Sequence, residues 1–220
     1  MIANLEPVAA KSAAPTYQLR IVLLGAEPSI WRTLEVPGQA SLGWLHAVLQ
    51  TAMGWTNSHL HHFLTADGRY SDPRLNEDTG FGGQPDRDEG KATLLQIAPK
   101  AGAHFGYEYD FGDSWGHEIT VLKILPASGG TAARCLDGAG ACPPEDCGGI
   151  YGYVEMLKAL KNPKHPEHKS MKEWLGGRAI DPKSFDLAKI NFWLGKLKWP
   201  RVTEIQLRKV LMGRDNYTEG

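Results

Sequence analysis

The chain has 220 residues, of which 42% are hydrophobic and 22% are charged, a composition typical of a globular protein with a sizeable core. Its formal net charge of −1 provides no global positive field that would attract nucleic acid or an anionic membrane. No run of about 18 apolar residues occurs, so we predict no membrane-spanning helix.

The N-terminal segment 1–16 lacks the charged start and apolar stretch of a secretory signal peptide, and we interpret it as a flexible leader. The chain contains 3 cysteines, an odd number that cannot all pair within one chain. Together these two features predict a reducing, cytoplasmic location, where a structural disulfide is the least expected explanation of the cysteines.

The first predicted elements are two strands and a helix. Residues 17–24 alternate between apolar and polar before becoming fully apolar, and residues 30–36 alternate throughout, so we predict an antiparallel hairpin. Ser41 is a suitable N-cap for a helix over 41–53, whose apolar residues form one stripe, and Gly54 is well placed to end it.

A third strand is predicted over 59–64. It is followed by a polar stretch, 71–90, which is rich in glycine, proline and aspartate, and we expect this stretch to be an exposed and mobile excursion. Residues 105–110 and 117–124 alternate on either side of a glycine-containing turn at 112–116, which predicts a second hairpin.

Helical periodicity then replaces strand periodicity, and predicted helices begin near Tyr151 and cover 167–175, 185–197 and 202–212. This order indicates the α+β class, with a β-grasp-like mixed sheet, one packed helix and a helical C-terminal region. The predicted organisation is one domain over 17–195, with its sheet part over about 17–130 and the cysteines and helices over about 131–195, followed by a C-terminal helix and tail over 196–220.

All three cysteines, Cys135, Cys142 and Cys147, lie within one segment, which we call the cysteine loop (135–147). Zinc binds thiolate and imidazole ligands at tetrahedral angles, so the loop predicts a zinc site with His117 as the first choice of fourth ligand, ahead of His59 and His61. The spacing C-x6-C-x4-C differs from the paired C-x2-C of zinc knuckles. Partly buried thiols that pack as small apolar groups, or a redox role, remain open as alternatives.

A second group of polar and aromatic residues predicts a binding surface: His59, His61, Asp110, Asp113 and Trp115. The two histidines are two positions apart on a predicted strand and would project to the same side. The two aspartates belong to one predicted turn, where a carboxylate could orient His117 as a base. The alternative is that both aspartates accept backbone N–H groups of the turn while the tryptophan packs in the core.

Taken together, several motifs resemble those of the plasmid pRiA ORF-three-like family, whose members are also labelled mobile-element passenger proteins of TnpR-like name. The resemblance covers about residues 17–195, and it implies an α+β domain with a β-grasp-like sheet but little about function. The motifs that carry it are Ile30-Trp-Arg, Gly54-Trp, Ser58-His-Leu-His61, Tyr109-Asp-Phe-Gly-Asp-Ser-Trp-Gly-His117, Cys142-Pro-Pro-Glu-Asp-Cys-Gly-Gly149 and Phe185-Asp-Leu.

The first functional hypothesis is a non-catalytic binding or adaptor protein with a structural zinc site, acting on an unknown protein or small ligand. The alternative is a metal-dependent hydrolase that would use His59, His61, Asp113 and His117 around an open coordination position. A further alternative is a mobile-element protein that acts on DNA. The few basic residues of the C-terminal helix disfavour nucleic acid as a partner.

Overall fold

The computed structural model describes residues 14–74, 85–127, 130, 132–200 and 204–215, so most of the predicted leader lies outside the described residues. Within these ranges the strands are β1 (Thr16–Leu23), β2 (Trp31–Pro37), β3 (His61–Thr65), β4 (Gly68–Ser71), β5 (Arg87–Asp88), β6 (His104–Tyr109), β7 (Trp115–Leu125) and β8 (Arg134–Ala139). The helices are α1 (Leu42–Met53), α2 (Leu94–Ile97), α3 (Gly149–Lys161), α4 (His168–Trp174), α5 (Leu187–Leu194) and α6 (Glu204–Asp215).

The strands form one sheet in the order β5-β4-β3-β6-β7-β1-β2-β8. Neighbouring strands are antiparallel except β4 and β5, which are parallel, so the sheet is mixed and the predicted α+β class is confirmed. Both predicted hairpins are present: β1 pairs with β2, and β6 pairs with β7. The third strand begins at His61, two residues later than predicted.

Helix α1 packs across the sheet face on which alternate residues of the strands are buried. It begins where the side chain of Ser41 accepts the backbone N–H of Trp44, and it ends at Gly54, as predicted. In the structure, α1 is buried on nearly all sides. Its buried face is therefore wider than the apolar stripe in its sequence. Helices α5 and α6 contact its outer side, and Trp44 stacks edge-on against Trp199 (5.0 Å between ring centroids).

Helix α5 is joined to the sheet through β8, a strand that the sequence pattern does not predict. The side chain of Asn191 on α5 bonds to the backbone of Cys135, with its Oδ1 accepting the N–H (2.8 Å) and its Nδ2 donating to the carbonyl (2.9 Å). The first cysteine of the cysteine loop therefore lies in a strand under a helix. It is 1% exposed.

The polar stretch 71–90 is only partly described, because residues 75–84 lie outside the described residues. Its two ends form the edge of the sheet, where β4 pairs with β5. Glu89 is buried, and one of its carboxylate oxygens would lie 3.0 Å from a Cβ atom added at Gly43, so it packs on the first turn of α1. The described ends are thus part of the fold, although the sequence predicted an exposed excursion. No described helix is both long enough and apolar enough to cross a bilayer.

Candidate metal centre

The loop between α1 and β3 carries His59, the first residue of the candidate centre. The residues on either side of it are anchored. Thr56 donates its backbone N–H to Glu145 Oε1 (2.7 Å), and Ser58 donates its backbone N–H to the hydroxyl of Tyr109 (2.9 Å). These bonds hold the loop against the sheet while the side chain of His59 stays 28% exposed.

Asp110 reaches the same place from the turn between β6 and β7. Its backbone N–H donates to the carbonyl of Leu60 (2.8 Å), which places it beside His59. Its Oδ1 accepts the backbone N–H of Gly112 (3.0 Å), whereas its Oδ2 lies towards His59. The Asp110 side chain is only 9% exposed, and a buried carboxylate oxygen requires a cation or a hydrogen-bond donor.

The cysteine loop supplies two further carboxylates, Glu145 and Asp146. The loop is tied to the turn after β6 because Gly148 donates its backbone N–H to Asp113 Oδ2 (3.1 Å). Burial and the Glu145 charge raise the pKa of Tyr109, so its phenol stays protonated and donates to Glu145 Oε1 (3.0 Å). Glu145 is thereby held in place, while the side chain of Asp146 is 69% exposed.

The three carboxylates surround one nitrogen, His59 Nε2. It lies 3.2 Å from Asp146 Oδ1, 3.6 Å from Asp110 Oδ2 and 3.9 Å from Glu145 Oε2. Despite this proximity, Nε2 is buried and forms no well-aligned hydrogen bond within the described part of the chain. The ligating atoms of His59, Asp110 and Asp146 all lie within 4.8 Å of one another.

Such spacing is compatible with a shared cation. Zinc binds imidazole nitrogen and carboxylate oxygen at roughly 2.0–2.2 Å, so two ligands at tetrahedral angles stand about 3.4 Å apart. The distances from His59 Nε2 to Asp146 and Asp110 bracket that value. A divalent ion at their centre would also offset the repulsion between carboxylates that otherwise share a single imidazole.

Left-handed backbone conformations cluster at this centre. Asp110 (φ 58°) and Asp146 (φ 57°) are two of the four non-glycine residues with positive φ in the described ranges, and Asn57 (φ 56°) belongs to the His59 loop. Asp and Asn adopt this conformation more readily than most residues with side chains. Here it turns the backbone in each of the three segments that meet at the centre.

The structure does not place the cysteines and His117 as close to one another as the residues of the candidate centre. Among the described residues, His59, Asp110 and Asp146 form the group of potential metal ligands that meets the 4.8 Å separation. Burial raises the pKa of Cys147 to about 12, which favours its neutral thiol. His117 is buried with Nδ1 3.3 Å from the carbonyl of Tyr107, while its Nε2 has no hydrogen-bond partner within the described ranges. This zinc site stays a prediction.

The residues of the predicted binding surface lie in different surroundings. His59 and Asp110 lie at the candidate centre and Asp113 is bonded to the cysteine loop, whereas His61 and Trp115 are buried in the core (6% and 0% exposed), so this surface stays a prediction. The predicted pairing of His59 with His61 on one strand face fails because the strand begins at His61. The suggestion that the aspartates accept backbone N–H groups of the turn is supported at Asp110, which accepts from Gly112, whereas Asp113 accepts from Gly148 in the cysteine loop.

Sequence reasoning missed Glu145 and Asp146. Both belong to the stretch Cys142-Pro-Pro-Glu-Asp-Cys147, in which the cysteines are the more recognisable metal ligands. The available signal was an acidic pair in a proline-stiffened loop. It does not by itself identify a partner, because His59 and Asp110 are distant in sequence.

The chain is similar to known proteins in sequence and in structure. A family model described as "Plasmid pRiA4b ORF-3-like protein" matches residues 15–189, which confirms the resemblance seen in the motifs. The uncharacterized protein y4hQ of Sinorhizobium fredii (strain NBRC 101917 / NGR234) is 38% identical over 191 residues, covering 86% of this chain and 96% of the relative. A crystal structure of a protein of unknown function, MM3350 from Methanosarcina mazei Go1, has a TM-score of 0.68 and 33% identity, covering 80% of this chain and 97% of the other.

Proposed function

The chain belongs to the plasmid pRiA4b ORF-3-like family, and we propose that it is a binding protein with a divalent-metal centre formed by His59, Asp110 and Asp146. One observation carries the proposal: a buried imidazole nitrogen faces carboxylate oxygens at 3.2–3.9 Å without forming a hydrogen bond to any of them. Zinc is the proposed ion, because one imidazole and two carboxylates are a ligand set that zinc accepts.

The metal would act first as a connection between three segments. His59 comes from the loop before β3, Asp110 from the turn after β6, and Asp146 from the cysteine loop that leads into α3. The metal can bind all three segments only in the folded state. Its binding free energy therefore stabilises that state. In this position the metal would maintain the shape of a surface that binds a protein or a small ligand. Such a structural role suits a non-catalytic binding or adaptor domain.

Metal-dependent hydrolysis is the second candidate function, and the exposure of Asp146 (69% of its side chain) favours it. Three protein ligands with one side open to solvent leave a coordination position for water, as in catalytic zinc sites. The ligand set differs from the one suggested by sequence, because among the described residues the group of potential ligands within 4.8 Å of one another contains neither His61 nor His117.

The remaining parts of the proposal concern the sheet and the cellular compartment. One helix, α1, packed across a mixed sheet is compatible with a β-grasp-like arrangement. Among the described residues, Cys135, Cys142 and Cys147 form no disulfide, which is compatible with the proposed location in a reducing cytoplasm.

The test is metal binding by the full chain, measured by elemental analysis after purification without added metal and by titration of metal-free protein with Zn²⁺. We expect one bound ion, with affinity lowered at least tenfold in His59→Ala and in Asp146→Asn. The matched controls are His104→Ala and Asp181→Asn, which alter exposed residues and should bind as the unmodified chain does.

The same titration separates this centre from the cysteine site. Cys142→Ser and Cys147→Ser should retain zinc if His59, Asp110 and Asp146 are the ligands, and should release it if the thiols are. Absence of binding by the unmodified chain would refute the proposed function. A hydrolytic role would require, in addition, a metal-dependent activity that is lost in His59→Ala.

A further inference from the structure

A closed ring of hydrogen bonds lies under the loop that carries His59. Gln50 donates from Nε2 to the hydroxyl of Tyr107 (3.1 Å), and that hydroxyl lies 2.9 Å from His46 Nδ1. The other nitrogen, His46 Nε2, lies 2.7 Å from Asn57 Oδ1. The ring closes where Asn57 donates its backbone N–H to Gln50 Oε1 (2.8 Å).

The ring fixes the tautomer of His46. Asn57 Oδ1 is an acceptor, so His46 Nε2 carries the hydrogen, and Nδ1 is left to accept the hydroxyl hydrogen of Tyr107. Burial supports the neutral imidazole that this pattern requires, because it lowers the pKa of His46 to about 3. Each of the four hydrogen bonds of the ring therefore joins one donor to one acceptor.

The ring is held rigidly inside the core. Gln50 is 0%, Tyr107 1% and His46 5% exposed, and an unsatisfied polar group at this depth would cost free energy. The imidazole of His61 stacks on that of His46, with 3.4 Å between ring centroids and an angle of 5° between planes. Two of the ring's residues, His46 and Gln50, come from α1, the most buried helix.

The ring meets the candidate metal centre at Asn57. This residue lies two positions before His59 and has a left-handed backbone (φ 56°), so its conformation sets the direction in which the chain continues to the ligand. Its side chain and its backbone N–H are both bonded to α1, one through His46 and the other through Gln50. The loop therefore has a fixed attachment to the core just before the metal ligand.

We infer that His46, Gln50 and Asn57 are positioning residues, which hold the His59 imidazole in the orientation that a divalent ion requires. The inference rests on the proposed metal centre. Residues in this role leave the fold intact when altered conservatively but weaken the metal complex, because the free energy of binding must then include ordering of the loop.

The experiment compares Zn²⁺ affinity, the visible spectrum of the Co²⁺-substituted protein and the melting temperature of the metal-free protein. Asn57→Gly tolerates the left-handed backbone and removes only the side-chain acceptor. We expect its Zn²⁺ affinity to fall about tenfold and its Co²⁺ spectrum to shift, while its metal-free melting temperature stays within a few degrees of the unmodified value.

A second pair of variants tests the ring from the helix. His46→Gln can still donate to Asn57 and accept from Tyr107, and it should keep affinity within about threefold, whereas His46→Leu can do neither and should lose about tenfold. If His59→Ala abolishes binding but Asn57→Gly and His46→Leu both bind like the unmodified chain with unchanged Co²⁺ spectra, the inference is overturned and the metal centre stands. If the unmodified chain binds neither ion, both fail.

Discussion

Arg32 lies on β2, between β1 and the edge strand β8, and is 3% exposed, with its guanidinium group surrounded by backbone carbonyls. It donates to the carbonyl oxygens of Trp31 (2.8 Å), Ala52 (2.9 Å), Ala139 (2.9 Å) and Gly140 (2.9 Å). These carbonyls belong to β2, the end of α1 and the end of β8. One side chain thus joins three elements, and the planar five-donor fork of arginine suits this geometry.

Replacing Arg32 by lysine tests this role. The ammonium group keeps the charge but cannot reach four carbonyls at once, so some stay buried without a donor. We expect Arg32→Lys to lower the free energy of unfolding by about 3 kcal/mol, measured by urea denaturation. The control is Arg134→Lys on β8, which is exposed and should change stability little. Equal stability of the two variants would contradict the assignment.

Individual residues also show which features a local sequence pattern can predict and which it cannot. Period-two alternation correctly identified the buried residues of β1 and β7, because each strand repeats a local pattern. It misassigned His59, since the start of β3 depends on pairing with β6, a strand more than 40 residues away. Asp110 was recognised as a turn residue, but its proximity to Asp146 depends on how the cysteine loop folds back, which no local pattern encodes.

At the scale of elements, the start of α3 is the most constrained junction in the described chain. Gly148 and Gly149 both have positive φ (88° and 66°), as expected from a sharp turn into a helix. A Cβ atom at Gly149 would lie 2.5 Å from the carbonyl oxygen of Asp113, and one at Gly152 would lie 1.9 Å from that of Cys147. The helix start therefore packs directly on the backbone that carries the candidate metal ligands.

Gly152→Ala should disturb this junction. Since the added methyl group would overlap the carbonyl of Cys147, the cysteine loop must move, at a cost of about 1–3 kcal/mol. We expect a melting temperature several degrees lower, together with weaker zinc binding because Asp146 shifts with the loop. Gly195→Ala, at a helix end where the nearest atom would be 3.4 Å away, is the matched control. If Gly152→Ala were as stable as this control, the junction would accommodate the added methyl group without cost.

Elements formed by local pattern were predicted, and elements formed by distant pairing were not. The hairpins, α1 and the C-terminal helices follow from alternation, caps and helical periodicity. By contrast, β5 has two residues, and β8 lies in a glycine-rich segment without clear alternation. These two strands exist because β4 and β2 offer unpaired edges, and that information is spread over the whole fold.

For the molecule as a whole, the unusual feature is the number of titratable groups in the core. Burial lowers the pKa of His46 and His61 to about 3 and that of His117 to about 4, so these three are neutral when folded. Their stabilising contribution is complete above pH 6.5, the ordinary histidine pKa, and is lost as the pH falls towards 4 and below. Acid should therefore unfold the chain by charging its core.

Glu89 acts in the opposite direction. Burial, with the charges of Asp72 and Asp88 adding to it, raises its pKa from 4.5 to about 7, while its Oε2 lies 2.8 Å from His61 Nε2. The folded state favours the protonated carboxyl group, so the contribution of Glu89 is complete below pH 4.5 and is lost as the pH rises through 7. Above that pH a buried carboxylate faces a neutral imidazole, and the free energy of unfolding of the chain decreases.

Glu89→Gln removes this dependence, because the amide stays neutral at every pH and can still donate to His61 Nε2 as the protonated carboxyl group does. Relative to the unmodified chain, the variant should gain on the order of 2 kcal/mol in free energy of unfolding between pH 5 and pH 8. Urea denaturation of both proteins at several pH values measures the difference, and Glu118→Gln, an exposed carboxylate on β7, provides the control. Parallel stability curves for Glu89→Gln and the unmodified chain would mean that Glu89 ionises without penalty in the folded state, and that the Glu89–His61 contact contains a fully ionised pair.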